Sequence, residues 1–457
     1  MRSSVIGSLL VSVALVLPLS VKADHNADQR SDRGDERGGN NGWGSGGDSQ
    51  QCKPSEHHDH QLNTPLKLLG VVTVPGNPII SADIGWVDPA SERYFLADRS
   101  NSGVDIIDAE NDVYVARVPG FAGALTSGGG TTTTNGPGPN GVLVTPNQRL
   151  WAGDGNSTAQ VADVDPTSST YLTILKTVST TNSTCDNGTA TGHYCGRADE
   201  LGYDPKDHLI LIANNAPLDP VKLCPTMTNP TAHCSVDPFA TFINADTFVV
   251  QGQVTFKGAG GLEQPLWNPE MGKFMVTVPG PTGGNPSIAI IDAKTMKIEK
   301  SYTFNCLALT GTASSSITGI ALAPFQHLLV AACGQPVILS ALTGNVINVI
   351  TQVGGGDEVW FNPGDGRFLV TAANTGTPPV QQLGVIDAET SGWLQNIPAV
   401  QARNPAAFPE NNHVFTLVAV TAPQVAGTTP DTSVCSTLGF KGTGCIAIFG
   451  HGDPDDK

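Results

Sequence analysis

Residues 88–109 read DPASERYFLADRSNSGVDIIDA, an X-Pro pair followed by two short runs of strand-forming residues, Tyr94-Phe95-Leu96-Ala97 and Val104-Asp105-Ile106-Ile107. Proline fixes its own φ and drives the residue before it out of the helical region, so Asp88-Pro89 ends one extended segment and starts a turn. The same arrangement returns at Thr145-Pro146, Asp204-Pro205, Asn268-Pro269, Ala323-Pro324, Asn362-Pro363 and Phe408-Pro409. Each mark follows an apolar run and precedes a second and usually a third. Seven copies of a small antiparallel sheet predict an all-β chain built as a seven-bladed β-propeller.

Aligning the copies on their marks exposes one irregularity. Outer strands such as Val113–Val118 and Lys297–Phe304 complete the first six blades, whereas the chain ends soon after Phe449 in the seventh. The alternating segment Leu66–Val74, ahead of the first mark, has no blade of its own. An open ring would leave a bare strand edge prone to aggregation, so this segment is expected to supply the outer strand of the last blade and close the ring. Marks are spaced 57, 59, 64, 55, 39 and 46 residues apart, and the surplus falls in residues 120–138, 181–196, 216–238 and 421–444. Long connections on a rigid ring are where binding surfaces are built.

Residues 1–23 carry Arg2, an apolar stretch and Val21-Lys22-Ala23, the pattern of a cleaved signal peptide, which predicts a secreted or periplasmic protein with no membrane span. Residues 24–62 are rich in Asp, Arg, Gly, Asn and His, lack the apolar content for a core, and read as a disordered leader. The propeller is assigned to 63–452 and an acidic tail to 453–457. The full chain has a net charge of −17, and the form without residues 1–23 has 22 basic against 41 acidic side chains, a charge of −19. Such a surface disfavours nucleic acid and anionic lipid and favours cations.

Nine cysteines in an exported chain point to disulfides. Cys185 with Cys195, Cys224 with Cys234 and Cys435 with Cys445 share a spacing of ten, and each bracket would constrain the unfolded chain by roughly 2 to 3 kcal/mol. Cys306 with Cys333 forms a fourth pair. Cys52 is left in the leader, where His57, His58 and His60 offer loose metal ligands.

Several segments resemble exported propellers with YVTN or NHL-type repeats and, more distantly, the gluconolactonase and senescence-marker group. They are Arg93-Tyr94-Phe95-Leu96-Ala97-Asp98 with Ile107-Asp108, Pro139-Asn140-Gly141-Val142 with Leu150-Trp151-Ala152-Gly153-Asp154, and Arg367-Phe368-Leu369-Val370 with Ile386-Asp387-Ala388. Gluconolactonase-type members hold one divalent cation on the ring axis, and the resemblance of Pro139-Asn140-Gly141 to their Asn motif implies a similar place for Asn140.

Five residues before each mark stands a polar column: Asp83, Asn140, Asp199, Glu263, Thr318, Asp357 and Arg403; the next position adds Glu200, Gln264, Glu358 and Asn404. Inner strands of a propeller start at one mouth of its central channel, so these side chains should converge there. Converging carboxylates repel one another and either retain protons or attract a cation. An all-oxygen set suits Ca²⁺ or Mg²⁺, with Asp83, Asn140, Asp199, Glu263 and Asp357 as ligands. Glu263 and Glu358 are then the candidate general bases, and Arg403, Asn404, Glu200 and Gln264 the candidate substrate contacts. Polar strand starts that merely hydrate a water-filled channel explain the same column.

The chain has no nucleotide, haem or flavin motif, no Gly-x-Ser-x-Gly and no His-Glu-x-x-His. Two functions survive. One is an extracytoplasmic binding propeller that takes a small ligand or protein partner at its mouth and long loops. The other is a divalent-metal-dependent hydrolase of lactonase or esterase type, or a lyase or isomerase. Oligomeric state is not encoded in these patterns.

Overall fold

The computed structural model describes residues 64–124, 138–154, 157–180, 197–215, 237–281, 284–311, 316–373, 381–398 and 402–452. The segments read above as signal peptide, leader and acidic tail, Cys52, and the expected Cys185–Cys195 and Cys224–Cys234 pairs lie outside them. The described strands form seven four-stranded antiparallel sheets, six of them running inner to outer in chain order. The seventh is composite: the strand Leu66–Val72 pairs antiparallel with the strand Cys445–His451, placing the N-terminal segment as its outer strand. The ring is therefore closed as the unmatched segment predicts. Gln395 of the sixth blade secures the closure, its side chain bonding both Leu66 N and Leu66 O at 2.9 Å.

The marks have a common local cause. Where Asp or Asn precedes proline, its side chain accepts from the backbone two or three residues on: Asp88 from Ser91 N at 3.2 Å, Asp204 from Lys206 N at 2.9 Å, Asn268 from Glu270 N at 3.1 Å and Asn362 from Gly364 N at 3.1 Å. These bonds build an Asx turn on the proline's fixed φ. Six of the seven turns then end four residues after the mark on a left-handed residue: Glu92, His208, Gly272, His327, Gly366 and Asn412; in the second blade Gln148 does so after three. The second strand starts with Arg or Lys opposite an Asp that ends the third in four blades: Arg93 with Asp108, Arg149 with Asp163, Lys273 with Asp292 and Arg367 with Asp387.

Between the sheets lie seven apolar clusters, each shared by neighbouring blades, with Trp151, Tyr94, Phe274 and Phe368 among the fully buried side chains. Among the described residues two disulfides tie the ring. Cys435–Cys445 spans Cα atoms 5.7 Å apart across the long connection of blade seven. Cys306–Cys333 spans 5.4 Å and links the short helix Cys306–Thr310 to the end of a second strand in the fifth blade.

Strand order also fixes the faces of the ring. The long connections run from Pro119 to Val142, Ser179 to Arg197, Asn215 to Phe239 and Val418 to Cys445. Antiparallel order places the ends of all four at the end of the blades where inner strands begin. The X-Pro turns form the opposite face.

Candidate functional site

The polar column is pinned to its blades by the same pair of backbone bonds in several copies. The amides of Asp83, Asn140, Glu263 and Thr318 donate to Ala97, Gly153, Thr277 and Ala332, the ends of the adjacent second strands, at 2.8 to 3.3 Å. From there the side chains connect one blade to the next. Arg99 of the first blade ion-pairs with Asp83, and its Nε and Nη2 donate to Asn140 Oδ1 of the second at 3.0 and 2.6 Å. Asn140 Nδ2 donates to Ala198 O of the third at 2.7 Å, beside the Arg197–Asp199 ion pair. Asn215 Nδ2 of the third reaches Glu263 Oε1 of the fourth at 2.9 Å. Gln264 Oε1 accepts from Ile320 N of the fifth at 2.8 Å, and Thr318 Oγ1 donates to Gly356 O before the sixth at 2.6 Å. The column is thus a polar girdle running through six successive blades.

Two members of this girdle are absent from the column. Arg99 follows the second strand of blade one, where the 3-10 turn Arg99–Asn101, capped by Asp98 and ended by left-handed Ser102, places it at the hub. Arg197 stands two residues before Asp199. The one signal of either in the sequence is a cation beside an otherwise apolar or acidic strand end. Arg403, a candidate substrate contact, lies in the inner strand of blade seven with its side chain outside the described residues; Arg99 and Arg197 neutralise Asp83 and Asp199.

The remaining acids are held by burial and by one another. Glu358 is 3% exposed; burial, Asp83 and Asp357 push its proton affinity well above the ordinary carboxyl range, against the opposing backbone amide of Gly85. Glu200, 6% exposed and without a partner for Oε2, is pushed the same way by burial and by Asp199, Glu263 and Glu358. Burial and Asp199 raise Glu263 to about 8 against the opposing Arg197, and burial raises Asp199 to about 6. The hub therefore combines glutamic acids whose burial favours the protonated form with arginine-paired aspartates. Asp357 is exposed and Asn404 buried, its Nδ2 unpartnered.

This donor set does not suit a bare divalent cation. Asp83 and Asp199 are each engaged by a guanidinium, Glu263 by an amide, and Asn140 presents its oxygen to Arg99. Among the described residues no group of three or more His, Cys, Asp or Glu side chains is placed to hold a metal ion.

Below the girdle, an axial channel of about 440 Å³ extends from Glu200 and Gln264 to the rim formed by Pro205, Pro269 and Pro324. Its wall comes from the inner strands of the first six blades and includes Trp86, Tyr203, Trp267, Trp360 and Phe361. Of the candidate site residues, Glu200 and Gln264 line it. The seventh inner strand does not, because Trp86 and Trp360, from blades one and six, meet with ring centroids 5.5 Å apart. The indole N–H of each is buried without an acceptor.

No protein-family model matches this chain, and no curated protein matches it. Among solved structures, one chain titled crystal structure of mitotic checkpoint complex is similar over 89% of this chain and 97% of its own, with 14% identity and a TM-score of 0.52. In all, 1396 solved chains match, a breadth that carries the fold and no activity.

Proposed function

We propose that this propeller is an extracytoplasmic binding protein whose site is the axial channel, with the ends of the long connections at the opposite, acidic mouth. The observation that supports this most is the channel itself: a 440 Å³ space walled by aromatic and aliphatic side chains with few polar groups at its inner end. Size and lining both match those of small-molecule sites. The described disulfides and the absence, among described residues, of a helix long and apolar enough to cross a membrane are compatible with export. The YVTN or NHL repeat type belongs to this proposal on the segments quoted above.

The direct test is to fill the channel. Leu322 lines it and is half-buried, so Leu322→Trp should abolish thermal stabilisation by whichever compounds of a small-molecule panel stabilise the native protein. Identical stabilisation of both proteins would place the site elsewhere.

A hydrolase is the second reading, favoured by Glu263, whose carboxyl titrates near 8 and holds a proton for a leaving group. Hydrolysis of lactones or aryl esters that survives unchanged in Glu263→Gln would remove it. The metal-dependent form of this chemistry gains no support from an arginine-paired donor set.

A further inference from the structure

Three features of the channel, taken together, select a chemical class of ligand. First, its wall is aromatic on several sides, with Trp86 and Trp360 in edge-to-face contact and Trp267 and Tyr203 on blades four and three. Ring faces attract cations in a desolvated site. Second, the polar groups at the inner end are Glu200 and Gln264, and the amide oxygen of Gln264 is already used by Ile320 N. Glu200 is 94% buried, yet its Oε2 has no hydrogen-bond donor opposite it. A buried acceptor without a partner is costly, and a ligand donor would relieve it. Third, the cations of the hub, Arg99 and Arg197, are committed to Asp83 and Asp199. Among the described side chains they leave the inner end of the channel without a matching group for an anion.

We propose that the channel takes a protonated organic amine, its ammonium group donating to Glu200 and its apolar body lying against Trp86, Trp267 and Trp360. This deepens the channel reading above and depends on it. Binding includes a proton step: Glu200, held protonated by its buried acidic surroundings, gives its proton to solvent as the ammonium arrives. The ligand keeps its own proton, and the new contact is carboxylate to ammonium. A neutral isostere would occupy the same wall without that exchange, and an anion would face the acids directly.

The test uses the full chain and three probes of matched shape, 3-phenylpropylammonium, 3-phenyl-1-propanol and 3-phenylpropionate, followed by tryptophan fluorescence. The ammonium should bind at least about tenfold more tightly than the alcohol, the size expected of one desolvated cation–aromatic and carboxylate contact, and the carboxylate weakest. Glu200→Gln should erase the amine preference and leave alcohol binding intact. Calorimetry of the native protein in two buffers of different ionisation enthalpy, which needs no variant, should show about one proton released per amine bound and none per alcohol. Equal affinity of amine and alcohol, or amine binding without proton release, overturns the ligand class while leaving the channel as a site. Failure of all three probes to bind, with Leu322→Trp also indistinguishable from native, overturns the channel reading and this inference with it.

Discussion

Trp86 and Trp360 occupy the same position in their repeats, two residues before the X-Pro marks of blades one and six, and their rings meet edge to face at 5.5 Å in front of blade seven. Blades one and six are not neighbours in the ring. The contact spans an inner strand, Ala402–Phe408, whose own residue at that position is Ala406. The seal at the closing blade is therefore made by side chains as well as by backbone pairing.

Replacing Trp360 by Leu should destabilise the protein by about 2 kcal/mol, since a half-buried aromatic surface and one ring contact are lost. A double-mutant cycle with Trp86→Leu, read by urea denaturation, should give a coupling of about 0.5 to 1.5 kcal/mol. Additive losses would show that the two rings do not stabilise one another.

The hub carboxyls give stability a specific pH dependence. Glu358, Glu200, Glu263 and Asp199 all bind protons more tightly when folded than their ordinary values of 4.5 or 3.8. The unfolded chain releases those protons first, so their contribution is complete below about pH 4 and declines as pH rises, through about 6 for Asp199 and about 8 for Glu263. Urea midpoints should accordingly fall between pH 5 and pH 8. Glu358→Gln, which cannot ionise, should lose less over that interval than the native protein and be the more stable of the two at pH 8. Parallel curves would mean that Glu358 is not held protonated.

Gly141 sits where the chain entering the inner strand of blade two touches the backbone of blade three, its amide donating to Asp199 O at 3.1 Å. A Cβ there would lie 2.4 Å from Glu200 Cα and 2.6 Å from Asp199 O, both backbone atoms of the next blade. Gly141→Ala should cost about 1 to 3 kcal/mol by forcing blades two and three apart, measurable as a lower denaturation midpoint. At Gly366, where φ is +68° but nothing lies within 4 Å, alanine meets the backbone cost alone and should cost about 1 kcal/mol.

The Cys306–Cys333 bridge closes 27 residues, so the double change to Ser should lower stability by about 3.5 kcal/mol in the loop-entropy model. The shorter Cys435–Cys445 bridge, 10 residues apart, should matter by about 2.7 kcal/mol on the same reasoning. Equal losses for the two would argue that local strain, rather than loop length, sets their effect.

Most of the fold was readable because its turns are chemically encoded. Asp88, Asp204, Asn268 and Asn362 carry the acceptor that builds the turn, and proline the φ that fixes it, so marks could be counted without any knowledge of packing. Ring closure by Leu66–Val72 followed from a missing outer strand. The girdle was half readable: counting five back located Asp83, Asn140, Asp199 and Glu263, but not Arg99, which enters from another strand through a turn, nor Arg197, which lies outside the counted position. Counting could not reveal that these arginines pair with the acids, because pairing depends on side-chain reach across blades. The aromatic wall escaped for a different reason. Trp86, Trp267 and Trp360 look like ordinary strand residues until the ring directs them at a common axis. The spacing of ten marks three cysteine brackets; Cys306 with Cys333, the fourth pair, lacks that spacing and forms because the helix after blade four packs against the end of a strand in blade five.

The segregation of connections has an architectural consequence. Every long insertion departs from the ends where inner strands begin, and the rim at Pro205, Pro269 and Pro324 is left with short, chemically constrained turns. The two poles of the disc are thereby free to diverge at different rates: one can accept new loops, staples or docking partners, while the other preserves a fixed aperture into the aromatic bore.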